Sequence, residues 1–96
     1  MGAIMTLLKV IQELNTLDKE STIYATTPWT EDSIAMVLPE PEAGGIPQKA
    51  DELGLKYFIE VFIAHEFLTD WEGTLDKVPT AHEKCARLIQ YAINDA

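Results

Sequence analysis

The residue that stands out most in this sequence is Glu60, a carboxylate inside the apolar stretch YFIEVFI at positions 57–63. A buried carboxylate must be paired, hydrogen-bonded or protonated at a raised pKa, and carboxylates with shifted pKa values serve as general acids or bases. We expect Glu60 to share one strand face with Phe58 and Phe62. Its carboxylate is structural instead if that face is solvated at a sheet edge, or if a Lys or Tyr satisfies the charge.

Two histidine-containing pairs resemble parts of metal sites. His65 and Glu66 open an H-E-x-x-H pattern, but Thr69 stands where the second histidine is needed, so an exposed helical pair is predicted. His82 and Cys85 supply two ligands where structural zinc normally takes four. A nucleophilic Cys–His pair would need Cys85 in a cleft, whereas its place on an apolar stripe predicts core packing. We therefore predict no metal and no cofactor.

The segment TTPWTED at positions 26–32 is the most site-like loop. A tryptophan beside hydroxyl and carboxylate groups suits a recognition surface, because exposed aromatic side chains anchor interfaces. Trp29 could equally fold back and cap the core, and the sequence leaves both alternatives open. The candidate binding residues are Trp29, Thr30, Glu31 and Asp32 in this loop, together with Glu60 and His65.

The composition indicates one ordinary globular domain over residues 1–96. Hydrophobic residues make up 47% and charged residues 24% of the 96 positions, which argues against disorder. No apolar run approaches the roughly 20 residues needed to cross a bilayer, so we expect no membrane partner. A single cysteine cannot form an internal disulfide and fits a cytoplasmic protein. Positions 1–4 are expected to be a leader ahead of a natural start at Met5.

The net charge of −9 narrows the possible partners. The seven Lys and Arg residues are scattered along the chain, so no basic stripe exists that could follow a phosphate backbone. Nucleic-acid binding is therefore not expected. An acidic surface keeps a small protein soluble and can steer it toward a basic protein.

Four elements are predicted in the first half of the chain. Thr6 suits an N-cap, and the apolar spacing of LLKVIQEL predicts a helix to about Asn15. The segments 22–26 and 34–38 are rich in strand-forming residues and are expected to pair antiparallel. The Pro- and Gly-rich loop 39–49 should be irregular, and residues 51–54 should form one helical turn that Gly54 terminates.

The second half centres on a strand that runs directly into a helix. Residues 57–63 are predicted to be a strand, and a helical stripe begins at Ala64 and ends before Gly73. Thr80 and Glu83 form a capping box for the last helix. Its apolar stripe consists of Ala81, Cys85, Leu88, Ile89, Ala92 and Ile93. The expected fold is α+β, a three-stranded mainly antiparallel sheet packed with three helices in the order α-β-β-β-α-α.

The segments TIYATTPW, YFIEVFIAHEFL and EKCARLIQYAINDA together resemble a family of small bacterial proteins without an assigned function. Members of that family are sometimes carried on mobile gene cassettes. The resemblance covers nearly the whole chain. It implies a single-domain bacterial cytoplasmic protein and transfers no functional residue.

These observations favour a small acidic binding protein without chemistry of its own. The expected surface combines Trp29, Glu31, Asp32 and the loop 39–49, and the expected partner is a basic protein. A homodimer is a further possibility, because self-association can cover apolar helical surface. The alternative is an enzyme or small-molecule binder that uses Glu60, with or without His65, in a pocket between sheet and helix.

Overall fold

The computed structural model describes residues 4–95, which form a four-stranded antiparallel sheet and four α-helices. The elements are β1 Met5–Thr6, α1 Leu7–Gln12, β2 Ser21–Ala25, β3 Ile34–Pro39, α2 Gln48–Glu52, β4 Lys56–Glu60, α3 Val61–Glu72 and α4 Ala81–Asp95, with a 3-10 turn at Leu14–Thr16. The α+β class is confirmed, whereas the expected numbers of three strands and three helices are each too low by one. Of the proposed leader, positions 1–3 lie outside the described residues.

The strand order across the sheet is β1-β3-β2-β4, with every neighbouring pair antiparallel. The expected pairing of the two central strands is confirmed, with Ile23 opposite Val37. The additional strand, β1, pairs Met5 with Ala35 at the edge of β3. It spans two residues, too few to show a period-2 pattern in sequence.

The main core lies between one face of the sheet and the helices α1, α3 and α4. Ile23 and Ala35 project from the sheet into this core, and Val10 and Leu88 meet them from α1 and α4. All four side chains are fully buried. Cys85 is also fully buried here, which confirms its predicted packing role.

A smaller apolar cluster covers the opposite face of the sheet. Tyr24, Met36 and Leu38 project from β2 and β3, and Ala50 and Leu55 pack on them from α2 and the segment after it. The helix α2 is longer than the expected single turn and begins at Gln48. It ends as predicted, because Gly54 takes a left-handed φ of +75°, which side-chain-bearing residues rarely adopt. The sheet is therefore packed on both faces.

The change from strand to helix occurs three residues earlier than the sequence suggested. The strand β4 ends at Glu60 and α3 begins at Val61, so the prediction of a strand through Ile63 is wrong. The β-branched residues Val61 and Ile63 suggested a strand by local preference. The spacing of Val61, Ala64 and Leu68 instead places all three on the buried side of a helix, and this burial decides the local structure.

A β-bulge in β4 overturns the expected surroundings of Glu60. Ile59 pairs with Ile23 and Tyr57 pairs with Tyr24, so Phe58 has no partner on β2. Phe58 and Ile59 consequently both pack into the helix-side core. Glu60 pairs with Thr22, on the same face as Tyr24 and opposite to Phe58.

The helix ends largely follow the predicted capping. The Glu83 carboxylate accepts a 2.8 Å hydrogen bond from the backbone N–H of Thr80, and the Thr80 hydroxyl accepts one of 3.1 Å from the Glu83 N–H. The Thr6 hydroxyl caps α1, although this helix ends at Gln12 before the 3-10 turn. Ile93 is exposed, so the buried stripe of α4 is narrower than expected. In the described chain, no helix combines the length and apolar character needed to span a membrane.

Candidate functional site

The loop that carries Trp29 is held by its own hydrogen bonds. The buried Ser33 hydroxyl donates to the carbonyl of Thr26 over 2.9 Å and accepts from the N–H of Thr30 over 2.9 Å. The Thr26 hydroxyl in turn accepts from the N–H of Ile34 over 3.1 Å. The Thr27–Pro28 peptide bond is cis. The loop therefore has a defined shape that does not depend on a ligand.

Trp29 combines the two roles that the sequence left open. Its indole N–H donates to the carbonyl of Ala25 over 3.4 Å, and its ring packs edge-on against Phe58 at a centroid distance of 4.9 Å. The ring is half-buried and also lines a groove of about 160 Å³ with Tyr57, Ile63 and Tyr91. Trp29 thus covers part of the core and forms one wall of a surface groove.

The other candidate residues of this loop differ in their contacts. Glu31 accepts a 2.8 Å hydrogen bond from Nδ1 of His82 on α4. The Thr30 hydroxyl accepts a hydrogen bond from the backbone N–H of Asp32 over 3.2 Å. The Asp32 side chain is exposed. Of the two carboxylates in this loop, that of Glu31 is therefore hydrogen-bonded within the chain. Burial first, and the charge of Glu31 second, raise the pKa of the nearby Cys85 thiol to about 11, so this thiol is protonated at neutral pH.

Glu60 lies on a different surface, at the junction of β4 and α3. It lines an open depression of about 420 Å³ with Lys19, Glu20 and Phe62. Tyr57 and Phe62 are large side chains that remain 46% and 43% exposed. We call Tyr57, Glu60, Phe62, Glu20 and Glu40 the aromatic–acidic patch, because Glu20 and Phe62 line the depression with Glu60, and Tyr57 lies within electrostatic reach of Glu60 and Glu40.

Two tyrosines lie within electrostatic reach of Glu60 and Glu40. Burial raises the pKa of Tyr57, and the charges of Glu60 and Glu40 raise it further. The pKa of Tyr24 is raised mainly by burial, partly offset by Thr22, and again increased by Glu40 and Glu60. Both carboxylates therefore lie close enough to the two phenol groups to interact electrostatically.

The buried hydroxyl of Tyr24 is an exception to the usual pairing of polar groups. Tyr24 is 1% exposed, and within residues 4–95 its hydroxyl completes no hydrogen bond. Thr22 lies near enough to influence the pKa of Tyr24 but does not meet hydrogen-bond geometry. A buried hydroxyl without a partner carries a desolvation cost, which the packing of the Tyr24 ring must offset.

His65 belongs to a third region, a polar cleft between α1, α3 and α4. The cleft has a volume of about 280 Å³ and is lined by Ile11, Gln12, Leu14, Asn15, His65, Leu68, Thr69, Glu72 and Lys84. The amide side chains come from the end of α1 and the 3-10 turn, and the imidazole and hydroxyl come from α3. Five of the nine lining side chains that form this concave surface carry amide, imidazole, hydroxyl or carboxylate groups, and Lys84 adds an ammonium group.

The structure therefore distributes the predicted site residues over three places. Trp29, Thr30, Glu31 and Asp32 share one loop, while Glu60 and His65 line separate cavities. Among residues 4–95, no three His, Cys, Asp or Glu side chains are grouped so that they could hold a metal ion.

Sequence reasoning missed two features of these surfaces. The exposure of Phe62 follows from the early start of α3, and the helical spacing of Val61, Ala64 and Leu68 could have indicated it. No comparable pattern in the sequence indicated that Gln12 and Asn15 would line the cleft. Isolated amides on a short helix are usually solvated, and only the packing of α3 and α4 makes them part of a cavity.

Comparison of the chain with known protein families, with curated proteins and with solved structures gives no match. The resemblance to small bacterial cassette proteins stays a prediction.

Proposed function

We propose that this protein binds a basic protein partner through the aromatic–acidic patch. The observation that carries the proposal is the exposure of Tyr57 and Phe62, which precede and follow Glu60 in the chain at the junction of β4 and α3. Large aromatic side chains anchor protein interfaces when they lie among polar groups that can form a rim. Here the polar groups are carboxylates, which selects a partner of opposite charge.

The chemistry of the patch suits arginine and lysine side chains. A guanidinium group can stack on the face of a tyrosine or phenylalanine and form a charge-assisted hydrogen bond with a neighbouring carboxylate. Glu60 stands between the two aromatic residues in sequence and lines one depression with Glu20 and Phe62. Lys19 lines the same depression and is the one positive charge among its lining residues.

The remaining charge of the protein supports the same conclusion. The chain has sixteen acidic and seven basic residues, and in its described part only Glu13 and Glu72 form an ion pair with a lysine, while Glu31 is hydrogen-bonded to His82. The unpaired carboxylates produce a long-range attraction for a basic partner, and this attraction weakens as salt screens it. Participation of the Trp29 loop and of the loop 39–49 in this interface stays a prediction. The formation of a homodimer also stays a prediction.

The proposal is tested with a library of short peptides rich in Arg and Lys, and with matched peptides that carry Gln at those positions. Binding to the full chain is followed by ¹H–¹⁵N correlation spectra. We expect the basic peptides to shift the amides of residues 56–62 most strongly, and affinity to fall steeply between low and high salt. Equal shifts over all acidic segments, or binding that salt does not change, would contradict a specific basic-protein surface.

A charge-matched pair of variants separates recognition from net charge. Glu40→Gln combined with Glu60→Gln removes two negative charges inside the patch. Glu66→Gln combined with Asp70→Asn removes two exposed charges from α3 outside the patch. We expect only the first variant to lose most of its binding to the peptides and to proteins captured from a bacterial lysate. If both variants lose binding equally, the patch has no special role.

The alternative function, chemistry or small-molecule binding at Glu60, has one observation in its favour. The carboxylate lines a depression that also contains the amine of Lys19. A Glu60→Gln variant that keeps its stability and binds basic peptides normally, but loses a measured activity, would favour this alternative over the protein-binding proposal.

A further inference from the structure

We infer that the cleft between α1, α3 and α4 is a binding site for a small zwitterion of the α-amino acid type. The cleft lies apart from the aromatic–acidic patch, since the residues that line it and those of the patch do not overlap. Its volume of about 280 Å³ is at the lower end of ligand sites, which commonly run from roughly 300 to 1,000 Å³. The size therefore suits a small molecule.

Four polar side chains in this cleft have unused hydrogen-bonding capacity. Within residues 4–95, Gln12, Asn15, His65 and Thr69 form no side-chain hydrogen bond and no ion pair, although all four line the same cavity. An amide offers two donors and one acceptor, and an imidazole or a hydroxyl offers both kinds of group. The cleft can therefore bind donors and acceptors of a ligand at once. Ile11, Leu14 and Leu68 supply its apolar part.

The charged groups of the cleft determine which ligand charge fits. Nζ of Lys84 lies 3.3 Å from Oε2 of Glu72, and both side chains are about two-thirds buried, at 29% and 33% exposure. An ammonium has three donors and a carboxylate has two acceptor oxygens, so each group retains capacity for a ligand while the pair stays formed. Screening by salt is weaker here than on open surface.

A ligand with a single charge would fit this pair poorly. An anion on Lys84 would lie beside the Glu72 carboxylate, and a cation on Glu72 would lie beside the Lys84 ammonium. Like-charge contacts of this kind oppose binding. A zwitterion places its carboxylate toward Lys84 and its ammonium toward Glu72, so both contacts are attractive. Among residues 4–95, no Phe, Tyr or Trp lines this cleft, so an aromatic ligand would find no large ring there on which to stack.

The test is a titration of the ¹⁵N-labelled full chain with each free L-amino acid at neutral pH. We expect at least one amino acid to give saturable shifts that are confined to residues 11–15, 65–72 and 84. The same amino acid as its N-acetyl N-methylamide, which has neither terminal charge, should give none. No saturable shift up to about 10 mM, or equal binding of the neutral derivative, would overturn the inference.

Matched variants decide whether the charged pair binds the ligand. Lys84→Met and Glu72→Gln should each weaken binding about ten- to a hundredfold, the effect of losing one hydrogen bond to a charged group. The control is the exposed pair formed by Lys9 of α1 and Glu13, the residue that follows this helix, whose Lys9→Met and Glu13→Gln variants should bind as the parent does. If the Lys84 and Glu72 variants bind the amino acid as tightly as the Lys9 and Glu13 variants do, the inference is wrong.

A third pair of variants covers the case in which a charge variant does not fold, as thermal denaturation would show. Asn15→Ala and Thr69→Val change the neutral polar groups of the same cleft, and both positions are exposed. Each should weaken binding of the amino acid severalfold without a change in thermal stability. If neither variant alters affinity, the shifts arise elsewhere and the inference is wrong.

Discussion

His82 donates a hydrogen bond from Nδ1 to Oε2 of Glu31 over 2.8 Å, across 51 positions of sequence. This contact ties the Trp29 loop to the first turn of α4. The His82 side chain is 65% exposed and that of Glu31 is 40% exposed. Exposed ion pairs contribute little to stability, so the contact orients the loop more than it stabilises the fold.

Replacing His82 with Gln should therefore lower the free energy of unfolding by less than about 1 kcal/mol. The fluorescence of Trp29, measured in a Trp71→Phe background, should change more visibly than the stability because the loop loses its tie to α4. Urea denaturation and emission spectra provide the two measurements. A loss above about 2 kcal/mol would show that the pair acts as a buried interaction.

The raised pKa of Cys85 predicts a loss of stability at alkaline pH. Burial, with a smaller effect of Glu31, raises the pKa of the thiol from 9.0 to about 11. Above pH 9 the thiol ionises in the unfolded chain but stays protonated in the folded chain, so rising pH favours unfolding. The effect of Cys85 ionisation on the free energy of unfolding is absent below pH 9, and near pH 11 it lowers this free energy by roughly 2–3 kcal/mol.

A Cys85→Ala variant serves as the reference for this titration, because every other group titrates alike in both proteins. The difference in unfolding free energy between parent and variant should be constant up to about pH 9 and should then shift in favour of the variant. Denaturation at a series of pH values measures it. A difference independent of pH between 8 and 11 would be inconsistent with a buried, protonated thiol.

Two apolar residues on α4 should respond very differently to truncation. Leu88 is fully buried in the main core, so Leu88→Ala should cost about 2–5 kcal/mol through lost burial and the cavity left behind. Ile93 is 58% exposed, and Ile93→Ala should change the stability by no more than about 0.5 kcal/mol. Similar losses in urea denaturation would mean that Ile93 is buried in solution, as a homodimer through this end of α4 would require.

Removing the unpartnered hydroxyl of Tyr24 should not destabilise the protein. In Tyr24→Phe the aromatic ring stays in place while a buried polar atom without a hydrogen bond is lost. We expect a gain of up to about 1–2 kcal/mol in the free energy of unfolding. Tyr57→Phe, at a 46% exposed position, is the control and should be nearly neutral. A clear loss in Tyr24→Phe would reveal a partner for the hydroxyl in solution.

Local residue patterns were sufficient to predict most elements of the fold. The capping box at Thr80 and Glu83 and the left-handed Gly54 act over a few residues, so their consequences could be derived from sequence alone. The central strand pair and the burial of Cys85 likewise followed from local composition and periodicity. The α+β class follows from these elements.

Contacts between distant segments decided the rest. The bulge at Phe58 depends on the partner strand β2, and it alone moves Glu60 from the face of Phe58 to that of Tyr24. The edge strand at Met5 exists only because β3 offers it a partner. The same holds for the two proposed binding surfaces, whose residues become neighbours only after packing. Sequence therefore determined the type of most segments, although not of β1 or of positions 61–63. The tertiary structure decided which side chains share a surface, because that depends on register and packing between segments far apart in the chain.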